Sequence, residues 1–128
     1  MLYTEQTKKA MKIAYEAHKD RLDKSGIPYS YHPIHLAEQM QDGNTVCVAL
    51  LHDVVEDTKI TFEELLEAGF SDEIIDVLKL LTHDDAVLYM DYVRAIKKNP
   101  IATKVKLADL RHNSDLSRLD VVNEKALK

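Results

Sequence analysis

Val46-Cys47-Val48-Ala49-Leu50-Leu51-His52-Asp53-Val54-Val55-Glu56-Asp57 reads as an apolar run ending in four groups that can ionise or bind metal. The run does not alternate apolar with polar residues, as a half-buried strand would. Asp42-Gly43-Asn44 ahead of it makes a turn, and Asn44 or Thr45 caps the segment as a helix that runs into His52-Asp53. A helix turns about 100° per residue, so positions four apart share a face. His52 then stands above Glu56, and Asp53 above Asp57. Burying that end gathers an imidazole and three carboxylates into one small volume. Like charges so close repel by several kcal/mol unless a cation neutralises them or they take up protons. A bound divalent metal is the economical answer.

The rest of the chain reads as further helices. Three glycines and three prolines leave punctuation sparse, and no segment has a convincing strand pattern, so the fold class is all-α. Thr4 caps a first helix with an amphipathic set of Ala10, Met11, Ala14, Tyr15 and His18. It stops near the loop Asp23-Lys24-Ser25-Gly26-Ile27-Pro28, which ends at Tyr29, and His32-Pro33 opens a second helix through Met40. Thr61 and Glu64 form a capping box for a short helix ending at Gly69, and Ser71 caps a helix burying Ile74, Ile75, Leu78 and Leu81. A helix over 87–98 ends before Asn99-Pro100, and the last strong helix spans 101–119, with the tail to Lys128 a frayed or docked turn. About six to eight helices are expected in one domain over 1–128.

At 128 residues, with 45% hydrophobic and 30% charged residues, the chain has ordinary globular composition and enough length for one core. A net charge of −5 argues against a duplex nucleic-acid binder. Cys47 is a lone cysteine inside the apolar run, which suits a reducing compartment and a small buried hydrophobe rather than a catalytic thiol. The N-terminus lacks a signal-peptide pattern, and no apolar stretch approaches the ~20 residues of a bilayer span. A cytoplasmic protein with no membrane partner is expected.

Two more elements join the His52-Asp53 centre. His32 follows a loop at a helix start, a natural place for a ligand at a rim. Asp109 and Asn113 lie four apart in Lys104-Val105-Lys106-Leu107-Ala108-Asp109-Leu110-Arg111-His112-Asn113. His32, His52-Asp53 and Asp109 resemble the H…HD…D pattern of the HD superfamily of metal-dependent phosphohydrolases. More narrowly, Ser25-Gly26-Ile27-Pro28-Tyr29-Ser30-Tyr31-His32-Pro33 resembles the SGEPYxxHP segment of RelA/SpoT-type hydrolases. Leu50 through Thr58 is similar to their LLHDVVEDT, and Lys106-Leu107-Ala108-Asp109 with His112-Asn113 to their KLADRLHN. The resemblance covers 10–119, and a stand-alone hydrolase domain, without the synthetase and regulatory domains of the long enzymes, is expected.

The resemblance implies a compact HD-domain helical bundle, like the small alarmone hydrolases, that removes the 3′-pyrophosphate from guanosine 3′,5′-bis(diphosphate). It implies His32, His52, Asp53 and Asp109 as ligands of one divalent metal, usually manganese. Two imidazoles and two carboxylates also admit iron, cobalt or zinc. It implies Glu56 and Asp57 as the groups that orient water and move its proton, with Asn113 and Lys24 on the nucleotide.

Three positions depart from the family pattern: Asp23 where an arginine packs on guanine, His83 in place of a lysine, and Leu116 in place of a threonine. An acid cannot supply a cation–π contact. Another nucleotide, such as a nucleoside monophosphate or NADPH, therefore stays open as substrate, as does a non-catalytic metal or nucleotide sensor.

The remaining polar residues read more plainly. His35 is explained equally by approach to the site and by its place on an amphipathic helix. His112 reads as a packing or surface residue, and His18 and His83 as surface, with His83 nearer the rim. At least two of Lys104, Lys106 and Arg111 read as a solvated face. Tyr29 and Tyr31 suit base stacking or core anchoring alike.

Overall fold

A computed structural model of the chain describes residues 3–82 and 84–114. Among these residues eight helices follow one another, α1 (Glu5–His18), α2 (Tyr31–Glu38), α3 (Gly43–Leu51), α4 (Val54–Asp57), α5 (Phe62–Glu67), α6 (Asp72–Leu81), α7 (Tyr89–Lys97) and α8 (Pro100–Asn113). Among the described residues there is no strand, only an isolated antiparallel bridge between Leu22 and Pro28.

The helix that decides the fold is also its centre. α3 packs against α1, α2, α6 and α8, and every residue from Val46 to Leu51 is fully buried. A helix enclosed on all sides needs no polar face, which is why its sequence shows no amphipathic period. Its cap differs from expectation. Asp42, not Asn44 or Thr45, accepts the Thr45 N–H at 2.9 Å, and Gly43 and Asn44 form the first helical turn. The carboxylate is the side chain that reaches the third amide of the helix from an extended backbone.

The surrounding helices start where their polar residues can satisfy the first amides. In α1 the Thr4 hydroxyl accepts from Thr7 N–H at 3.1 Å, and Thr7 Oγ1 accepts from Thr4 N–H at 2.7 Å. Thr7, Ala10, Ala14 and His18 form its buried stripe, while Tyr15, one residue off that stripe, is exposed. His18 is thus a correction to its surface reading. The Thr61 and Glu64 box opens α5, and Ser71 caps α6, which buries Ile74, Ile75, Val77, Leu78 and Leu81.

α7 begins at Tyr89 rather than Val87, since Leu88 has an extended backbone, and Tyr92 donates its hydroxyl to the Leu81 carbonyl at 2.7 Å. Asn99 caps α8 with Pro100 in its first turn, where a missing N–H costs nothing, and Ser114 caps its end. The expected continuation to Leu119 and the tail, together with His83 and Leu116, lie outside the described residues. No helix among the described residues is long and apolar enough to cross a membrane.

Candidate metal centre

α3 does not run through His52 and Asp53 as expected. It ends at Leu51; His52 caps it and Asp53 caps α4, both close to helical conformation. The Asp57 N–H still donates to the Asp53 carbonyl at 2.9 Å, so the four-residue spacing survives the break. The interruption gives His52 a partner of its own: its Nδ1 donates to the Ala49 carbonyl at 2.8 Å. That bond occupies Nδ1 and turns Nε2 toward the carboxylates, the arrangement that metal-binding histidines use.

His52 Nε2 lies 3.1 Å from Asp53 Oδ2 and 3.4 Å from Asp109 Oδ1. His32, from the first turn of α2, places Nε2 2.7 Å from Asp109 Oδ1 and 3.9 Å from Asp53 Oδ2. One donor atom from each of His32, His52, Asp53 and Asp109 falls within 4.8 Å of all the others. His32, His52 and Asp109 are buried and Asp53 is half-buried.

The electrostatics of the cluster call for positive charge between its carboxylates. Burial favours neutral His52, yet its hydrogen bonds to Asp109 and Asp53 prevail and lift it to about 10. Burial likewise favours protonated Asp53, but His52 and the Tyr29 hydroxyl hold it down at about 2. Asp109 stays well below the usual carboxylate range against its own burial, because His32 and His52 both bond to it. A divalent cation can take the place of the imidazole protons, and two imidazole nitrogens with two carboxylate oxygens form a donor set fitted to a first-row metal.

The other predicted residues fall around this core at different removes. Asp57 is paired with Arg21 at 2.9 Å, and Glu56 is exposed, with its carboxyl pushed upward by partial burial and by the charges of Asp53 and Asp57. Asn113 donates to Asp109 Oδ1 at 3.3 Å from one turn further along α8. Lys24 is exposed at the tip of the loop between α1 and α2, away from the cluster's hydrogen bonds among the described residues. Asp23, beside it, shapes that loop, where its Oδ1 accepts from Ser25 N–H at 2.8 Å and from Ile27 N–H at 3.1 Å. Gly26 takes the positive φ of +78° that this tight loop requires.

Several residues that read as bland are at the site. His112 meets His32, Nδ1 to Nδ1 at 2.5 Å, and its ring stacks on His35 with 4.3 Å between centroids. The spacing held a signal, since His112 is three residues past Asp109 on α8 and so shares a flank with it. Tyr29 donates its hydroxyl to Asp53 Oδ2 at 2.5 Å, while Tyr31 is exposed in the wall of a cavity of about 450 Å³ that reaches His32. Of the three α8 cations, Lys106 approaches Asp109 at 3.7 Å, Lys104 bonds Gln41, and Arg111 is exposed.

Residues 10–112 match the HD domain family. A probable GTP pyrophosphokinase of Mycobacterium leprae is 33% identical over 94% of this chain. A guanosine-3′,5′-bis(diphosphate) 3′-pyrophosphohydrolase of Aquifex aeolicus is 31% identical over 87%. The chain spans 17% and 18% of the length of these two relatives. Among solved structures, a metazoan ortholog of SpoT that hydrolyses ppGpp shares the fold, with a TM-score of 0.73 over 98% of this chain and 79% of that one, at 24% identity. The family match spans every element that contributes to the histidine–aspartate cluster except Asn113, and on it the chain is a member of the HD domain family.

Proposed function

We propose that this chain is a metal-dependent phosphohydrolase of small nucleotides, and that its reaction removes the 3′-pyrophosphate from guanosine 3′,5′-bis(diphosphate). The observation that carries the proposal is the convergence within 4.8 Å of four donor atoms from α2, the junction of α3 and α4, and α8. His32, His52, Asp53 and Asp109 would hold the cation, with manganese the metal of choice and 1–128 acting as one HD-type unit. When bound, a divalent cation at such a donor set supplies a Lewis acid for the phosphoryl group and makes a water more acidic.

The chain's own residues supply the rest. His52 and His32 present Nε2 because Ala49 and His112 occupy their Nδ1 atoms. Glu56, whose proton is held more firmly than in an ordinary carboxyl, takes up a proton from the attacking water, and Asp57 orients that water. Asn113 offers its amide to the nucleotide. Lys24 provides a cation at the mouth, and the exposed ring of Tyr31 gives the base a face to stack on.

One observation favours a second substrate within the same chemistry. Asp23 stands where the related hydrolases place arginine, and its carboxylate is engaged with the loop backbone. No cation from that position reaches a base, so a nucleoside monophosphate or NADPH is the competing substrate.

The test is phosphate and pyrophosphate release with manganese present, from ppGpp, pppGpp, NADPH and nucleoside monophosphates, beside an Asp53→Ala blank. Pyrophosphate from ppGpp, absent in the blank, is the expected result. Orthophosphate from another substrate reassigns the substrate and keeps the chemistry. Metal uptake without turnover of any of them turns the reading toward a sensor.

A further inference from the structure

We propose that Arg21 and Tyr29 form a two-layer brace in which Tyr29 positions Asp53 and Arg21 positions Asp57. The inference rests on the reading of Asp53 as a ligand and Asp57 as a group that handles water.

The backbone sets the register of the brace. Tyr29 N–H donates to the Arg21 carbonyl at 2.8 Å, and Leu22 bridges Pro28, so residues 21 and 29 face each other across the arch between α1 and α2. Their side chains stack, with the Arg21 guanidinium carbon 4.1 Å from the centroid of the Tyr29 ring. Each then has one polar end left for the site. Tyr29 Oη donates to Asp53 Oδ2 at 2.5 Å, and Arg21 Nη1 meets Asp57 Oδ2 at 2.9 Å.

The two receivers are themselves fixed relative to one another, because Asp57 N–H donates to the Asp53 carbonyl. One stacked pair on the arch therefore matches one helical turn carrying two carboxylates. Behind the stack, His18 closes the space: its ring lies 4.9 Å from that of Tyr29 and is 1% exposed. Neither His18 ring nitrogen meets a hydrogen-bond partner among the described residues, so it serves there as a wall for the tyrosine.

A half-exposed ion pair has little value for stability on its own. Its value here is directional. A guanidinium stacked on an aromatic ring has already lost most of its rotamers and presents its N–H fork in one orientation. Tyr29 acts on the same Asp53 oxygen that lies 3.1 Å from His52 Nε2, so the hydroxyl aims the oxygen that faces the imidazoles. Groups that orient a ligand or a proton carrier in this way typically change metal affinity or activity by 10- to 100-fold when removed.

Three variants of the full chain test the brace. Tyr29→Phe should weaken manganese binding about 10- to 100-fold by calorimetry, while Arg21→Ala leaves it near the wild-type value. Arg21→Ala should lower kcat by a similar factor with KM unchanged, and Arg21→Lys should recover part of the loss, since it keeps the charge but not the planar stack. Unchanged metal affinity in Tyr29→Phe overturns the role of Tyr29. A higher KM at unchanged kcat in Arg21→Ala makes Arg21 a substrate contact and overturns its role.

Side-chain carboxyl ¹³C resonances decide the geometry without metal or substrate. Tyr29→Phe should move Asp53, and Arg21→Ala should move Asp57. A wild-type protein that takes up no manganese defeats the proposed function, whereas still carboxyl resonances in these variants defeat the brace.

Discussion

α3 and the arch between α1 and α2 converge on the same carboxylates by opposite means. Val46 to Leu51 are fully buried, and α3 is held by apolar contact with four other helices. In the arch, Arg21, Leu22, Lys24, Gly26, Ile27 and Pro28 are all exposed, and its shape comes from hydrogen bonds. Tyr29 N–H to Arg21 O, Asp23 N–H to Ile27 O and the Asp23 carboxylate are the chief ones. Burial is strong and undirected, so it places a helix as a body and delivers His52 and Asp53 at its end. Hydrogen bonds are weaker and directional, so they aim single atoms. The centre uses the first to bring its donors together and the second to orient them.

The largest effect should follow from damage to α3. Leu50→Ala deletes a fully buried side chain and is expected to cost about 2–5 kcal/mol in urea unfolding. Cys47, three residues away on the same helix, reports the loss locally. Burial pushes its thiol up to about 11, so alkylation at pH 8 should be very slow in the native protein and faster in Leu50→Ala. A Leu50→Ala protein of wild-type stability would deprive α3 of its role as the organising element.

Metal comes next in size. The four donors belong to folded elements that the unfolded chain cannot assemble, so manganese at a hundredfold excess over its Kd should add about 2.7 kcal/mol to stability. A chelator should remove that increment, and Asp53→Ala should abolish it. Thermal melts with and without manganese measure all three. An equal shift in Asp53→Ala would mean that the ion binds somewhere other than the cluster around His32, His52 and Asp109.

How legible each part was in the sequence follows the same division. α3, α5 and α6 are written in apolar runs and in Thr61, Glu64 and Ser71, local signals that survive folding unchanged. His32, His52, Asp53 and Asp109 stood out because three separated motifs shared an order with a known family; the distances between them come only from tertiary packing. Residues whose role depends on what lies opposite were illegible. Tyr29 carries nothing in its own context to show that its hydroxyl reaches Asp53, and Arg21 nothing to show Asp57. His18 was readable, since it continues the spacing of Ala10 and Ala14, but a polar side chain at the end of a stripe argues against burial until the neighbouring tyrosine is known. Asp42 was hidden by Asn44, a better-placed cap had the helix begun two residues later.

Asp42 gives a smaller and pH-dependent effect on the α3 side. Its Ala variant should lose about 1 kcal/mol at neutral pH. Acceptance of the Thr45 N–H holds the Asp42 carboxyl below its ordinary value in the folded protein. The ionised cap therefore contributes fully above the unfolded carboxyl pKa of about 4, and loses its contribution as the pH falls through the folded value. The stability gap between wild type and Asp42→Ala, followed by urea unfolding from pH 7 downward, should close in acid. A gap that stays constant would show that the Asp42 carboxyl caps the helix equally well when protonated, so that its hydrogen bonds rather than its charge keep the helix start in place.

The arch should give the smallest change in stability with a disproportionate change in function. Asp23→Ala removes the bonds its carboxylate accepts from Ser25 and Ile27 N–H, at a surface where water replaces them, so the global cost is expected to stay under about 1 kcal/mol. The bonds from Tyr29 N–H to Arg21 O and from Asp23 N–H to Ile27 O remain, and the arch keeps its closure while its tip loosens. Amide exchange at Ser25 and Ile27 should rise, because both N–H groups lose their acceptor, while exchange within α3 stays at its wild-type rate. Turnover should fall by up to about tenfold, the equivalent of 1.4 kcal/mol in the barrier, as the stacked pair of Arg21 and Tyr29 spends more time off Asp57 and Asp53. If Asp23→Ala instead lowered global stability as far as Leu50→Ala does, the arch would be part of the core in all but exposure, and the separation between what holds the fold and what aims the site would not stand. If both exchange and turnover stayed at wild-type values, the backbone bonds alone would suffice to shape the arch, and the acid at position 23 would be left with its effect on charge at the mouth, where Lys24 lies next to it.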